Sequence, residues 1–110
     1  MQGVTFGEEG VEPWLEGITG TPEGTCKNAL VIITHPHSKL GGDLHNNVVN
    51  ALLMHLIESG FHTLSFNFRG VGGSGGHSTW GGKAEIEDVQ LAFNFATKSF
   101  PQCQQVFLVG

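Results

Sequence analysis

The chain has 110 residues, of which 39% are hydrophobic and only 14% are charged, and its formal net charge is −5. A chain of this length can build one core, so its composition predicts a single domain or part of one. The acidic balance and the scattered lysines and arginines argue against nucleic acid or an anionic membrane as a partner. The low charged fraction argues against disorder and coiled coil, and no apolar run approaches the roughly 20 residues of a membrane span.

The cysteine pattern and the first residues bear on location. Cys26 and Cys103 lie far apart and form no Cys-x-x-Cys motif, which excludes the common zinc and redox spacings. The first ten residues contain Glu8 and Glu9 and have no basic, apolar character of a secretory signal. A reducing, cytoplasmic location is therefore expected.

The first part of the chain favours strands. Residues 1–25 are acidic and turn-rich, and they predict two short antiparallel edge strands, one at Thr5-Phe6 and one over 14–18. Residues 29–34 (ALVIIT) then form a continuous β-branched apolar run. Such a run is typical of a parallel strand that is buried on both faces.

Helical and strand periods then alternate. Four apolar residues at i, i+4 spacing predict a helix over 44–59, with Asp43 as its N-cap and Gly60 as its end. These four residues are Leu44, Val48, Leu52 and Leu56. Residues 61–68 return to the alternation of a strand, and a loop over 69–82 follows.

A second helix and a last strand complete the pattern. One apolar face predicts the helix, and Pro101 ends it. Residues 105–109 (QVFLV) then open the last strand. The face consists of Ile86, Val89, Phe93 and Ala96. Alternating strands and helices are typical of right-handed βαβ units. The sequence therefore predicts an α/β fold with a mostly parallel sheet and flanking helices, whose βαβαβ core covers 26–110.

Two glycine-rich loops leave predicted strands at the edge where open α/β sheets bind ligands. One loop covers residues 35–42 and the other covers residues 69–74. Their glycines either allow the backbone to approach a ligand or simply form tight turns. Composition alone leaves both interpretations open.

Both loops resemble motifs of the α/β-hydrolase superfamily. The first is similar to the His-Pro-His-x-x-x-Gly-Gly-x-x-x-Asn pattern of a compact subgroup, labelled dienelactone-hydrolase-like or serine-aminopeptidase-like. The second resembles an Asp-x-Arg-Gly-x-Gly-x-Ser turn, with Asn67 in place of the leading aspartate. The resemblance spans about residues 16–110. The matching residues are His35, Pro36, His37, Gly41, Gly42 and Asn46 in the first loop, and Arg69, Gly70, Gly72 and Ser74 in the second.

The resemblance implies the N-terminal half of an α/β-hydrolase fold that ends before the nucleophile elbow. Gly110 would be the first glycine of that Gly-x-Ser-x-Gly turn, so the serine, acid and histidine of the triad are not among these residues. One oxyanion-hole N–H would come from His37, with Ser38 as the second choice. The matched Arg69 and Ser74 would have structural roles, and no metal or cofactor is implied.

The implied function is acyl transfer by a serine hydrolase on a small-molecule ester, thioester or amide, with this chain inactive by itself. The alternative is a non-catalytic remnant or interaction module with a half-fold. In both cases the last strand becomes an exposed apolar edge, which predicts self-association or dependence on a partner. In the family's strand order the third and fifth strands are neighbours, which would bring Cys26 and Cys103 close together, as thiols or as a disulfide.

Three competing motifs fit less well. Ser74 satisfies Gly-x-Ser-x-Gly literally, but the predicted loop continues after it instead of passing into a helix. The run 70–75 fits the dinucleotide pattern Gly-x-Gly-x-x-Gly but has no acidic residue at the required distance. A zinc cluster of the metallo-hydrolase kind has the wrong spacing here. Its ligands would be His35, His37, Asp43 and His45.

Overall fold

The computed structural model describes residues 1–24, 27–35, 45–77 and 84–110, and these residues form five strands and two helices. In chain order the elements are β1 (Gln2–Phe6), β2 (Leu15–Gly20), β3 (Ala29–Ile33), α1 (Asn47–Glu58), β4 (His62–Phe66), α2 (Glu85–Ser99) and β5 (Gln105–Val109). The predicted α/β class is confirmed. No helix among the described residues is long and apolar enough to cross a membrane.

The strands form one mixed sheet in the order β1-β2-β4-β3-β5. β1, β2 and β4 pair antiparallel, whereas β4, β3 and β5 pair parallel. Every residue of β3 is buried, as its continuous apolar run predicts. β3 and β5 are neighbours, as the resemblance implies, but Cys26 lies outside the described residues and its relation to Cys103 stays a prediction.

Each face of the sheet carries one helix and one apolar cluster. Alternate residues of β3 point to opposite faces, so Leu30 and Ile32 join the α2 side while Val31 and Ile33 join the α1 side. The larger cluster lies on the α2 side and consists of Phe6, Leu15, Leu30, Ile32, Leu64, Phe66, Ala92, Ala96 and Phe100. Each large side chain buried in this way contributes about 1.5–3 kcal/mol to folding.

The first helix begins later than its sequence pattern predicts. Asn46 is the N-cap, because its side-chain oxygen accepts hydrogen bonds from the backbone N–H groups of Val48 at 2.9 Å and Val49 at 3.3 Å. The prediction of Asp43 as the cap is therefore wrong. The buried stripe is also shifted by one residue, since Val48 faces solvent while Val49 and Leu53 are buried.

The second helix buries a different face from the predicted one. Its buried residues are Asp88, Ala92 and Ala96, whereas Ile86 and Phe93 are exposed. An ion pair with Arg69 holds Asp88 against the loop that follows β4, and a hydrophobic pattern cannot show this contact. Of the predicted face, Ala96 is buried in the core and the half-buried Val89 packs against it.

Candidate functional site

The candidate site lies at the carboxyl ends of the parallel strands β3 and β4. His35 follows β3, and the loop over residues 69–76 follows β4. The predicted oxyanion donors His37 and Ser38 lie outside the described residues, so their role stays a prediction. The matched residues Pro36, Gly41 and Gly42 also lie outside the described residues.

His35 joins the ends of the two parallel strands. Its Nε2 accepts a hydrogen bond from the backbone N–H of Phe68 at 3.1 Å, and its ring packs edge-on against the Phe68 ring at 5.0 Å between centroids. This bond joins the carboxyl end of β3 to the end of β4.

Glu16, on β2, holds the glycine-rich loop through a network that we call the Glu16 clasp. Its Oε1 accepts from Asn67 Nδ2 at 2.5 Å and from the backbone N–H of Gly73 at 2.6 Å. Its own backbone N–H donates to Ser74 Oγ at 2.9 Å, and that hydroxyl donates to the Asn67 carbonyl at 2.8 Å. Side-chain and backbone bonds thus join the loop to β2 at several points.

The Glu16 clasp explains two features of the loop sequence. Asn67 stands where the related motif has aspartate, and only an amide can donate to the Glu16 carboxylate. Gly72 has a φ of 54°, and a Cβ there would lie 2.5 Å from both Asn67 Nδ2 and Glu16 Oε1. The glycine is required by close packing within the protein. This geometry favours the tight-turn interpretation of the loop.

Arg69 fixes the other side of the loop to α2. Its guanidinium Nε and Nη2 donate to Asp88 Oδ1 at 2.9 and 2.7 Å, and its backbone N–H donates to Asp88 Oδ2 at 2.8 Å. Asp88 is fully buried, and the exposed Glu87 adds a longer contact of 3.4 Å. The hydrogen bond to Asp88 raises the pKa of Arg69 above its ordinary value.

The alternative chemistries can be tested against this geometry. The Ser74 hydroxyl is engaged in the Glu16 clasp, and α2 begins only at Glu85, so the segment lacks the strand-to-helix turn of a nucleophile elbow. For the same reason no helix opens at Gly75, as a dinucleotide fingerprint requires. Within the described ranges no group of three metal-ligating side chains converges. His37 and Asp43 of the zinc alternative lie outside those ranges.

Sequence reasoning missed Glu16 and Asp88, the two acidic residues that hold the loop. Glu16 is one of many acidic residues in the N-terminal segment, and Asp88 lies in a helix that opens with several acids. One signal was available, because Asn67 replaces the leading aspartate of the motif. An amide at this position is consistent with a neighbouring carboxylate, which the structure identifies as Glu16. That carboxylate could be found only from the pairing of β2 with β4.

Comparison with known proteins gives a consistent result. No family model matches the chain. An uncharacterized protein of Rickettsia prowazekii is 32% identical over 103 residues, a match that covers 88% of this chain and 43% of that protein.

Solved structures extend the comparison to the fold. An α/β serine hydrolase homologue from Coxiella burnetii is 33% identical, with a TM-score of 0.85, over 97% of this chain and 50% of its own. A putative α/β hydrolase from Agrobacterium tumefaciens is 30% identical with a TM-score of 0.83, and 47% of it is covered. A lidless α/β serine hydrolase from Xanthomonas campestris is 28% identical with a TM-score of 0.85, and 48% of it is covered.

The chain thus spans about half the length of each of these relatives. The five-stranded mixed sheet and its two helices match the N-terminal half of an α/β hydrolase. The chain is therefore similar to α/β hydrolases and has the fold of the N-terminal half of such a protein.

Proposed function

We propose that this chain is the N-terminal portion of a serine hydrolase that cleaves a small-molecule ester, thioester or amide by acyl transfer. The observation that carries the proposal is the match to two α/β serine hydrolases at 33% and 28% identity, each with a TM-score of 0.85. Because the chain spans about half of those proteins, the activity is assigned to the whole hydrolase. The described residues supply its frame.

In this proposal the backbone N–H of His37, or of Ser38, donates to the carbonyl oxygen as it gains negative charge. His35 precedes both residues in the chain, and its bond to the Phe68 N–H fixes the carboxyl end of β3. Loss of one oxyanion-hole donor typically lowers kcat by about 10²–10³. The frame thus contributes to transition-state stabilisation without supplying a reacting side chain.

The reacting groups belong to the other half of the hydrolase. Its serine hydroxyl would attack the substrate carbonyl carbon, and its histidine would take the hydroxyl proton and deliver it to the leaving group. Water would then hydrolyse the acyl-enzyme and restore the serine. Gly110 is the proposed first glycine of the elbow that presents this serine. We also propose a cytoplasmic location, in which Cys26 and Cys103 would remain reduced.

A chimera tests the proposal directly. Residues 1–110 are fused to the half of the Coxiella burnetii homologue that this chain does not match, and the purified product is treated with a serine-reactive fluorophosphonate. We expect labelling on the second half only, and none on residues 1–110 alone. A chimera that folds cooperatively but neither takes the label nor hydrolyses short-chain esters contradicts the proposal.

The second candidate function is a non-catalytic interaction module. It is favoured by one observation, the exposed apolar side chains Phe107, Leu108 and Val109 on β5. The same fluorophosphonate experiment separates the two functions, since an interaction module binds its partner without any labelled serine in the complex.

A further inference from the structure

A groove runs along one side of α2, between this helix and residues 7–14, which join β1 to β2. It consists of two cavities with volumes of about 240 and 330 Å³. The cavities meet at Glu8, Leu91 and Asn94, because these residues line both of them. We call the two cavities together the α2 groove.

The α2 groove lies on the side of α2 that faces away from β5. Val89 and Phe93, on the other side of the helix, share a cavity with Leu108 of β5. Leu91 and Asn94 line the groove instead. The groove is also next to β1, which is at the opposite end of the sheet from β5. It is therefore separate from the exposed apolar side chains of β5.

The middle of the groove is apolar. The rings of Phe6 and Phe95 stack at 4.7 Å between their centroids and line it together with Leu91. Trp14 lies in the same cavity and is 41% exposed, and Val11 in the neighbouring cavity is 52% exposed. Tryptophan is enriched among the residues that dominate binding energy at protein interfaces. This part of the groove favours a ligand that brings apolar side chains.

The end of the groove near the start of α2 is acidic. Glu12 and Glu87 line it, and Glu8 lies where the cavities meet. The Arg69 guanidinium also lines this end, but its shortest bonds are to the buried Asp88. The three glutamates leave negative charge here, which attracts cations and repels phosphate. No three metal-ligating side chains of the described ranges converge, so the charges suit an extended cationic ligand better than a single metal ion.

The other end of the groove is basic. Lys98, in the last turn of α2, lines it together with Thr5. Along the helix axis Lys98 lies about 16 Å from Glu87. An extended peptide advances about 3.3 Å per residue, so about five residues span this distance. The order of charges along the groove is complementary to a peptide that is basic at one end, apolar in the middle and acidic at the other end.

We propose that the α2 groove binds an extended peptide segment of a partner protein. An arginine or lysine of the segment pairs with Glu12 and Glu87, its apolar side chains cover the Trp14 ring, and its acidic residue lies near Lys98. The charged contacts determine the register of the peptide, and burial of apolar area supplies most of the affinity. Such binding requires no hydrolase activity, so it stands apart from the proposed function.

A phage-displayed library of random heptapeptides, selected on the immobilised 110-residue chain, tests the proposal. We expect enriched sequences with an arginine or lysine, then large apolar residues, then an aspartate or glutamate, all within about five or six positions. The consensus peptide is synthesised, and its Kd is measured by fluorescence anisotropy. A peptide with its basic and acidic residues exchanged should bind at least about tenfold more weakly.

Variants of the chain locate the binding. Glu12→Gln/Glu87→Gln removes charge from the acidic end and should raise the Kd of the consensus peptide at least about tenfold. The matched control, Glu23→Gln/Glu58→Gln, removes the same charge from exposed residues outside the groove and should change the Kd less than about twofold, because solvent screens distant charges. A selection repeated on Lys98→Glu should enrich a basic residue in place of the acidic one. All these residues are exposed, so each variant should keep the parent's far-UV circular dichroism.

Three results would overturn the inference. One is a selection on the folded chain that enriches nothing, or that enriches peptides without a basic residue. Another is a consensus peptide whose Kd is the same for Glu12→Gln/Glu87→Gln and for the matched control. The third is a homodimer, seen by size-exclusion chromatography, that Glu12→Gln/Glu87→Gln dissociates, because a second copy would then occupy the groove.

Discussion

Two regions of the sheet differ in how their side chains are paired or covered. At the β2–β4 end, polar side chains of the loop find partners inside the chain, since Glu16 holds Asn67 and Gly73, and Arg69 holds Asp88. At the β5 end, apolar side chains remain exposed and the strand edge is unpaired among the described strands. The polar groups of the first region are paired within the described residues, whereas the apolar side chains of the second are not covered by any described residue.

This difference separates the bonds that fix the loop conformation from the apolar area that is left exposed. The Glu16 clasp and the Arg69–Asp88 pair fix one loop geometry through directional bonds, whose loss leaves buried groups unsatisfied. The exposed side chains of β5, which are Phe107, Leu108 and Val109, present apolar area. The hydrophobic effect is not directional, and this area lowers the free energy only when it is removed from water. Substitutions in the loop contacts should therefore lower the free energy of unfolding of residues 1–110. Substitutions of the exposed β5 side chains should instead affect binding to whatever covers them.

The largest expected effect comes from Arg69→Ala. The substitution leaves the fully buried Asp88 carboxylate with the backbone N–H of residue 69 as its remaining contact from that residue. Loss of one partner of a buried pair typically costs about 3–5 kcal/mol, measured as the free energy of unfolding in urea. Glu87→Gln is the control, because that exposed, 3.4 Å contact should contribute less than about 1 kcal/mol. Equal losses in the two variants would contradict the assigned difference.

A smaller loss is expected from Asn67→Asp. The aspartate would place a carboxylate against Glu16 Oε1, in place of the 2.5 Å amide bond. We expect a loss of about 1–3 kcal/mol at pH 7, which shrinks in acid as one carboxyl group becomes protonated. The paired variant Glu16→Gln/Asn67→Asp should recover only part of this stability, because an amide nitrogen in place of Oε1 can donate to the aspartate but cannot accept from the Gly73 N–H. If Asn67→Asp alone is as stable as the parent at pH 7, the Glu16 clasp is wrong.

The smallest expected change in stability concerns His62, the first residue of β4. Its ring lacks hydrogen-bond partners among the described residues, whereas Asn67, just after the other end of β4, bonds to Glu16. Neither ring nitrogen bonds to a described residue, and the ring packs against Phe100 at 5.1 Å between centroids. Burial lowers the pKa of His62 below 6.5. The unfolded chain then binds the proton first, so stability is full above pH 6.5 and is lost as pH falls toward the lowered pKa.

We therefore expect His62→Leu to remove part of the acid sensitivity below pH 6.5, by at most about 1.4 kcal/mol per pH unit for one proton. The measurement is the midpoint of urea unfolding across pH 5–7.5. The exposed His55, replaced by asparagine, is the control and should leave the slope unchanged. A His62→Leu variant with the parent's full slope would show that this imidazole is not protected from protonation.

Sequence patterns predicted the order of elements well, because hydrophobic period and turn residues are local. Residues 105–109 were predicted to open the last strand and they form β5, and the apolar run predicted over 29–34 contains the five buried residues of β3. The helix faces were less accurate. Val48 and Ile86 look like core residues by spacing, yet Asn46 caps one helix and the Arg69–Asp88 pair orients the other.

The site was predictable only in part, and for a physical reason. The glycine and arginine positions of the loop could be predicted because they match a motif. Their acidic partners come from β2 and α2, and these contacts depend on how β2 and α2 pack beside the loop, 51 and 19 residues away in sequence. No local pattern carries that information.

The most direct test of the central claim is to capture the protein from its natural source with an antibody against residues 1–24, after treatment of the extract with the fluorophosphonate. The account predicts that the captured material contains a labelled serine, on a polypeptide of roughly twice 11.8 kDa or on a bound partner of similar added mass. An unlabelled 11.8 kDa protein captured alone would contradict the claim that this half-fold serves a serine hydrolase.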